Sequence, residues 1–376
     1  MCWADSIQII TGLVEIGKRM GVEYRLNTSV TSIKLSDDNK EAKGVVLSTG
    51  ETLTADMIVC NADLVYAYSK LLPSTSYAKS LATRPASCSS ISFYWAIDQK
   101  VPQLNAHNIF LADEYKESFD SIFKKHLIPT EPSFYVNVPS RVDPTAAPEG
   151  KDSIVVLVPV GHLLNDRTNS ATFADNDSES QPQKSSLAAH PQQDWESMVA
   201  LARTTVIKTI AARTGVDLAP IIKHESVNTP VSWREEFNLD RGAILGLSHS
   251  FFNVLSFRPR TKHSDIKDLY FVGASTHPGT GVPICLAGSK IVAEQILDDY
   301  GMAIPWERNG AVVGPGAYAG VQSAGDNKGK ARGKKSIDRV SRPFFVLDFT
   351  AALWAFVVLL ALMYVYVVGP ALVFRS

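Results

Sequence analysis

With 376 residues the chain has room for two domains, and 37 Lys and Arg against 38 Asp and Glu leave a formal charge of −1. General nucleic-acid binders show a basic stripe on their folded part, so this balance supports no such partner. The 4 cysteines form no CxxC and the 8 histidines form no HExxH or Cys/His group, which speaks against a zinc site and for reduced thiols.

Residues 1–5 carry neither a basic stretch nor an apolar run and do not form a signal peptide. Residues 3–20 place Ile7, Ile10, Val14 and Gly17 on one helical face, which predicts an amphipathic helix ended by Gly21. Strands are predicted within residues 23–35, around Val30 and Ile33, and within 43–47. After the turn signal at 48–51 comes a short apolar run, 57–60, expected to be a strand buried on both faces. Residues 90–97, 134–138 and 154–158 are rich in strand formers and predict a second sheet. Its aromatic side chains Phe93, Tyr94, Trp95, Phe134 and Tyr135 are expected in an ordinary core, with the lining of a lipid-like tunnel as the alternative. Residues 165–193 are polar and low in apolar content, as in a disordered insertion or long surface loop, and 194–213 return to helical periodicity.

Residues 268–283 carry the strongest chemical signal. A short apolar strand breaks into a corner rich in Gly and Pro, and Pro283 falls at the start of a helix where its missing N–H costs nothing. A helix start offers free N–H groups and a partial positive charge, and glycines let backbone approach a flat ligand. A flavin ring or a phosphate could use this corner, and so could a plain connection that binds nothing. His277 is placed either to tune such a ligand or to hold the loop, and Arg258 is expected in an exposed salt bridge, with a cofactor or carboxylate as the other candidate partner. Beyond residue 300 the composition turns to Gly, Ala and Lys, a flexible basic linker over 301–343. The run 344–374 is almost wholly apolar and long enough to cross a bilayer, which takes about 20 residues. Lys328, Lys330, Arg332, Lys334 and Lys335 precede it and favour a cytoplasmic folded part.

The corner at 268–283 resembles the C-terminal flavin motif of phytoene desaturases, within the amine-oxidase-like flavoprotein superfamily. Residues 21–33 are similar to the superfamily strand that reaches the FAD adenine, and 55–63 to the strand that returns afterwards. Residues 132–135 and 143–150 resemble substrate-domain segments, and Thr229–Pro230, 237–239, Gly242–Ala243, Gly246–Leu247 and Arg258–Pro259 the stretch before the flavin loop. The likeness runs in order from about residue 12 to 296.

The resemblance implies an α/β fold: an incomplete Rossmann-like FAD-binding domain from residues 1–75 and 231–300, a mixed-sheet substrate domain from 76–230, and a C-terminal transmembrane helix. It implies FAD as cofactor, held by Val30 and by Gly273, Ala274, Ser275, Thr276, His277, Pro278, Gly279, Thr280, Gly281, Val282 and Pro283. The reaction implied is desaturation of phytoene, a C40 polyene, to more conjugated carotenes such as lycopene. A related carotenoid isomerase or oxidase and a non-catalytic membrane-anchored fragment are the alternatives. Membrane lipid is the other expected partner, with the folded part on the cytoplasmic side of the endoplasmic reticulum membrane, and self-association is open. No catalytic residue is assigned, because the family's acid/base candidates match no segment here. Its strand–GxGxxG–helix opening has no counterpart either, since 314–320 has the wrong spacing. The sequence as written is therefore expected to be a fragment, poorly soluble and without flavin, whose strand at 269–272 exposes an edge.

Overall fold

The computed structural model describes residues 3–164 and 193–306. The expectations for the polar insertion up to residue 192, for the linker beyond residue 306 and for the apolar run at 344–374 fall outside the described residues; Gln193, the last residue of the predicted insertion, is buried and donates to His126 O and His162 O. Among the described residues, no helix is long and apolar enough to cross a membrane.

The chain opens with α1 (Trp3–Arg19). Gly21, at φ +85°, closes it: Val22 N–H reaches Gly17 O and Gly21 N–H reaches Lys18 O, a paired C-terminal cap. Of the predicted apolar face, Ile10 is 61% exposed, whereas Val14 and Gly17 are half-buried. An antiparallel meander follows, β1 (Val30–Leu35), β2 (Ala42–Leu47) and β3 (Thr52–Thr54). β1 is shorter than predicted, because the residues before it turn, with Asn27 at φ +54° and Arg25 held between Glu23 and Glu51. β4 (Ile58–Cys60) then enters a core. The Asp63 carboxylate accepts the Tyr66 N–H at 3.0 Å and starts α2 (Leu64–Tyr66), which runs through a π-helical turn toward α3 (Ser76–Thr83).

The second sheet is the one predicted, with more strands. It comprises β5 (Ser89–Ile97), β6 (His107–Phe110), β7 (Phe134–Asn137), β8 (Asp152–Val160) and β9 (Ile222–Asn228), in the order β6-β7-β8-β5-β9, every pair antiparallel. Helices α4 (Tyr115–Phe123), α5 (Trp195–Thr214) and α6 (Pro230–Phe237) connect or flank these strands. Alternation along the strands decides the fate of the aromatic residues. Phe93, Trp95 and Phe134 are buried in a core shared with Met198, Val206 and Ile210 of α5. Tyr94 and Tyr135 occupy the alternate positions and lie half-buried on the opposite face, beside Val155 and Leu157. One corner of the sheet is fixed by Asp152. Its buried carboxylate accepts two bonds from Arg141, at 2.7 and 2.8 Å, one from Ser140 and one from the Val101 N–H. Burial alone would raise this carboxyl, and those donors together outweigh it and hold it below its ordinary range.

The chain then returns to the first core as β10 (Leu269–Phe271) and α7 (Val282–Asp299). β10 pairs in parallel with β4, Leu269 opposite Ile58 and Phe271 opposite Cys60. Two expectations change here. β4 is buried on one face only: Tyr68 and its neighbours cover Cys60, whereas Val59 is 45% exposed. β10, by contrast, shows no bare edge. The segment before it folds back, so that Phe271 N–H donates to Thr261 O and His263 N–H to Leu269 O. Leu269, Tyr270 and Phe271 are all at most 1% exposed. The result is a mixed α/β architecture with two apolar cores, one beneath β4 and β10 and one beneath the five-stranded sheet.

Candidate flavin-facing site

The loop between β10 and α7 is built on backbone. Gly273, Gly279 and Gly281 adopt φ of +132°, +143° and +106°, where a side chain would be strained. At Gly281 an added Cβ would meet nothing closer than Ile284 at 3.9 Å, so the space in front of the helix start is open. The first intrahelical bond of α7 runs from Cys285 N–H to Gly281 O at 2.8 Å, and no side chain caps the helix. The N–H groups of Val282 and Ile284 therefore have no intrahelical partner, and Pro283 has no N–H to offer. This end of the helix presents a partial positive charge of about half a unit.

Packing fixes the helix at both ends. Gly288 brings α7 against the loop, where an added Cβ would lie 3.3 Å from Pro278 Cδ. At the far end Asp299 accepts from Lys262 Nζ at 2.6 Å and from the Tyr270 hydroxyl at 2.5 Å, and Tyr300 donates to Asp56 O and to Asp268. The pair of bonds at Asp299 holds its carboxyl below its ordinary range.

The structure brings the predicted residues 273–283 together in this one corner but divides their roles. Ser275 and Thr276 are buried and work internally: Ser275 Oγ accepts the Leu247 N–H at 3.1 Å, and Thr276 Oγ1 donates to Gly273 O at 2.9 Å. His277 is exposed; its N–H donates to Pro259 O at 2.9 Å and its peptide bond to Pro278 is cis. Gly281, Val282 and Pro283 form the exposed rim. Val30 stands apart, half-buried at the start of β1 in a separate sheet.

Arg258 departs from its expected exposed salt bridge. It is 3% exposed and donates to Asn253 O at 2.8 Å, to Thr276 O at 3.2 Å and to Ala274 O. Beside it Phe251, Phe252 and Phe257 form a cluster with ring centroids 5.2–5.7 Å apart, and Phe252 is 71% exposed. Neither feature was read from the sequence. The adjoining Arg-Pro dipeptide was the only local signal, and two of the three acceptors that bury this arginine lie 16 and 18 residues away. Asp63, the cap of α2 just after β4, lies near Asp240. Burial, and then the nearby Asp240 carboxylate, push its carboxyl up to about 6 against the pull of the Tyr66 N–H.

The donor set fits a flavin: glycine backbone for close approach, an uncapped helix start, apolar side chains and no carboxylate on the rim. Comparison with known proteins agrees. The family described as "Flavin containing amine oxidoreductase" matches residues 8–173. The phytoene desaturase of Fusarium fujikuroi is 62% identical over 305 residues, covering 80% of this chain and 52% of the relative. That of Cercospora nicotianae is 57% identical, covering 82% and 56%. The zeta-carotene-forming phytoene desaturase of Myxococcus xanthus is 35% identical, covering 76% and 50%. The chain thus spans about half the length of the curated relatives it matches.

Proposed function

We propose a function from one premise, that the chain belongs to the family of the fungal phytoene desaturases: it supplies the flavin-facing loop and the substrate sheet of an FAD-dependent oxidoreductase that desaturates phytoene to more conjugated carotenes such as lycopene. The observation that carries this reading is the uncapped start of α7 behind the glycine corner. When bound, FAD supplies the acceptor for hydrogen removed from a CH–CH unit of the polyene. This chain's part is to bind and to exclude water. The N–H groups of Val282 and Ile284 and the helix dipole favour the side of the ring that gains negative charge. Gly279 and Gly281 let backbone lie flat against it.

Residues 1–75 and 231–300 form the flavin half and residues 76–230 the substrate half, a division supported by the two separate apolar cores. The sheet face opposite α5, carrying Tyr94, Tyr135, Val155 and Leu157, lines the path of the C40 chain; its half-burial and apolar character support this. The apolar run 344–374, with the cations before it, tethers the protein to a membrane into which such a substrate partitions.

The test is product analysis in a phytoene-producing host expressing the natural protein that carries this sequence. Coloured polyenes are expected, together with a flavin absorbance band in the purified protein. Unchanged phytoene beside a flavin-loaded protein would refute the substrate, and a flavin-free protein would refute the reading of the loop.

A further inference from the structure

Arg258 poses an electrostatic problem that its own neighbours do not solve. A buried guanidinium ordinarily meets a carboxylate. Here the three acceptors are the neutral carbonyl oxygens of Asn253, Ala274 and Thr276, and no ion pair with Arg258 forms among the described residues. Burial disfavours the charged form and lowers its pKa, yet an arginine remains charged in a protein. A full positive charge thus stands behind the loop, its stem against Gly279, where an added Cβ would lie 3.6 Å from Nε. Charge left with carbonyl dipoles alone is costly to bury, and the cost falls when an anionic group sits on the same loop.

Resting on the flavin reading above, we infer that Arg258 is the positioning and charge-setting residue of the flavin loop. It turns the carbonyl oxygens of Ala274 and Thr276 onto itself, so that these partial negative charges do not face a ligand that becomes anionic. It also lends the loop a positive charge that adds to the helix dipole of α7 and favours the reduced over the oxidised flavin. The aromatic turn at Phe251–Asn253 is tied to the loop through the same side chain, by way of Asn253 O. Arg258 touches neither reacting atom, and its influence passes through the loop.

The test compares Arg258→Met and Arg258→Lys with the parent in the natural protein carrying this sequence. Two properties of the bound flavin are measured, sulfite affinity and two-electron midpoint potential, along with hydrogen exchange of the amides of residues 273–281. In R258M, sulfite affinity is expected to fall about tenfold and the potential by the matching amount, about 30 mV for a two-electron couple, with faster exchange across the loop. R258K, which keeps the charge but not the fork, is expected to hold the potential near the parent value while exchange still quickens. Parent-like potential and sulfite affinity in flavin-loaded R258M would overturn the charge-setting role, as would equal shifts in both variants. Unchanged exchange in R258M or R258K would overturn the positioning role, whether or not flavin is bound. If R258M does not fold, R258K decides alone: a potential shifted about as far as predicted for R258M refutes the charge role. A parent protein that binds no flavin refutes the flavin reading itself, which the variants' exchange does not address.

Discussion

Asp63 shows how one carboxyl joins local structure to conditions. It caps α2, it is half-buried, and it faces a second carboxylate at Asp240, so its pKa rises to about 6. In an unfolded chain the same group titrates near 4. Between about pH 4 and 6 the folded protein holds a proton that the unfolded chain releases, so stability is complete below that window and falls as pH rises through it. Asp63→Asn keeps an oxygen to cap the helix and removes the titration. Its unfolding free energy from urea titration is expected to flatten between pH 4 and 6 and to exceed the parent's at pH 7 by on the order of 2 kcal/mol. A parent-like pH slope in the variant would show that Asp63 is not the group responsible. None of this was legible in the sequence, where Asp63 is one acid in a polar pair after a strand. Its environment is set by Asp240, which is distant along the chain.

At the scale of elements the sequence was more informative. The 3.6-residue periodicity located α1 and α5, and strand-forming runs located β5, β7 and β8, because both patterns are local. The corner at 273–283 was legible for the same reason: glycine and proline declare backbone geometry without reference to the rest of the fold. What failed was pairing. The strand at 57–60 was expected to be covered on both faces and β10 to be bare at one edge, yet Val59 is exposed and residues 261–263 close that edge. Neither fact can be read from a window of neighbours. The approach of α7 to the loop can be tested directly. Gly288→Val adds three carbons where one would already lie 3.3 Å from Pro278. Overpacking of this kind costs about 1–3 kcal/mol, and it should push the helix start off the loop. Flavin retention is expected to drop while the far-ultraviolet circular dichroism stays parent-like; full retention would show that the close approach is dispensable.

For the whole molecule the unanswered apolar surface matters most. Leu13, Phe252, Leu255 and Val282 are each more than half exposed. The apolar run at 344–374 gives the proposed tether a separable test. Deleting residues 344–374 is expected to move the natural protein from the membrane pellet to the supernatant, or at least to make it extractable by salt. If the deletion variant still needs detergent, the folded part itself is embedded and the run is not the anchor.

The parallel pairing of β4 with β10 has one more implication, for biosynthesis. Ile58 and its partner Leu269 are separated by about 210 residues of chain, and a ribosome adding roughly 5–20 residues per second needs roughly 10–40 seconds to reach the second from the first. Throughout that interval the earlier strand has emerged without its mate, while the five-stranded sheet between them can already close. The nascent polypeptide is therefore exposed to off-pathway strand pairing at its front end, and a holding chaperone would find its client there.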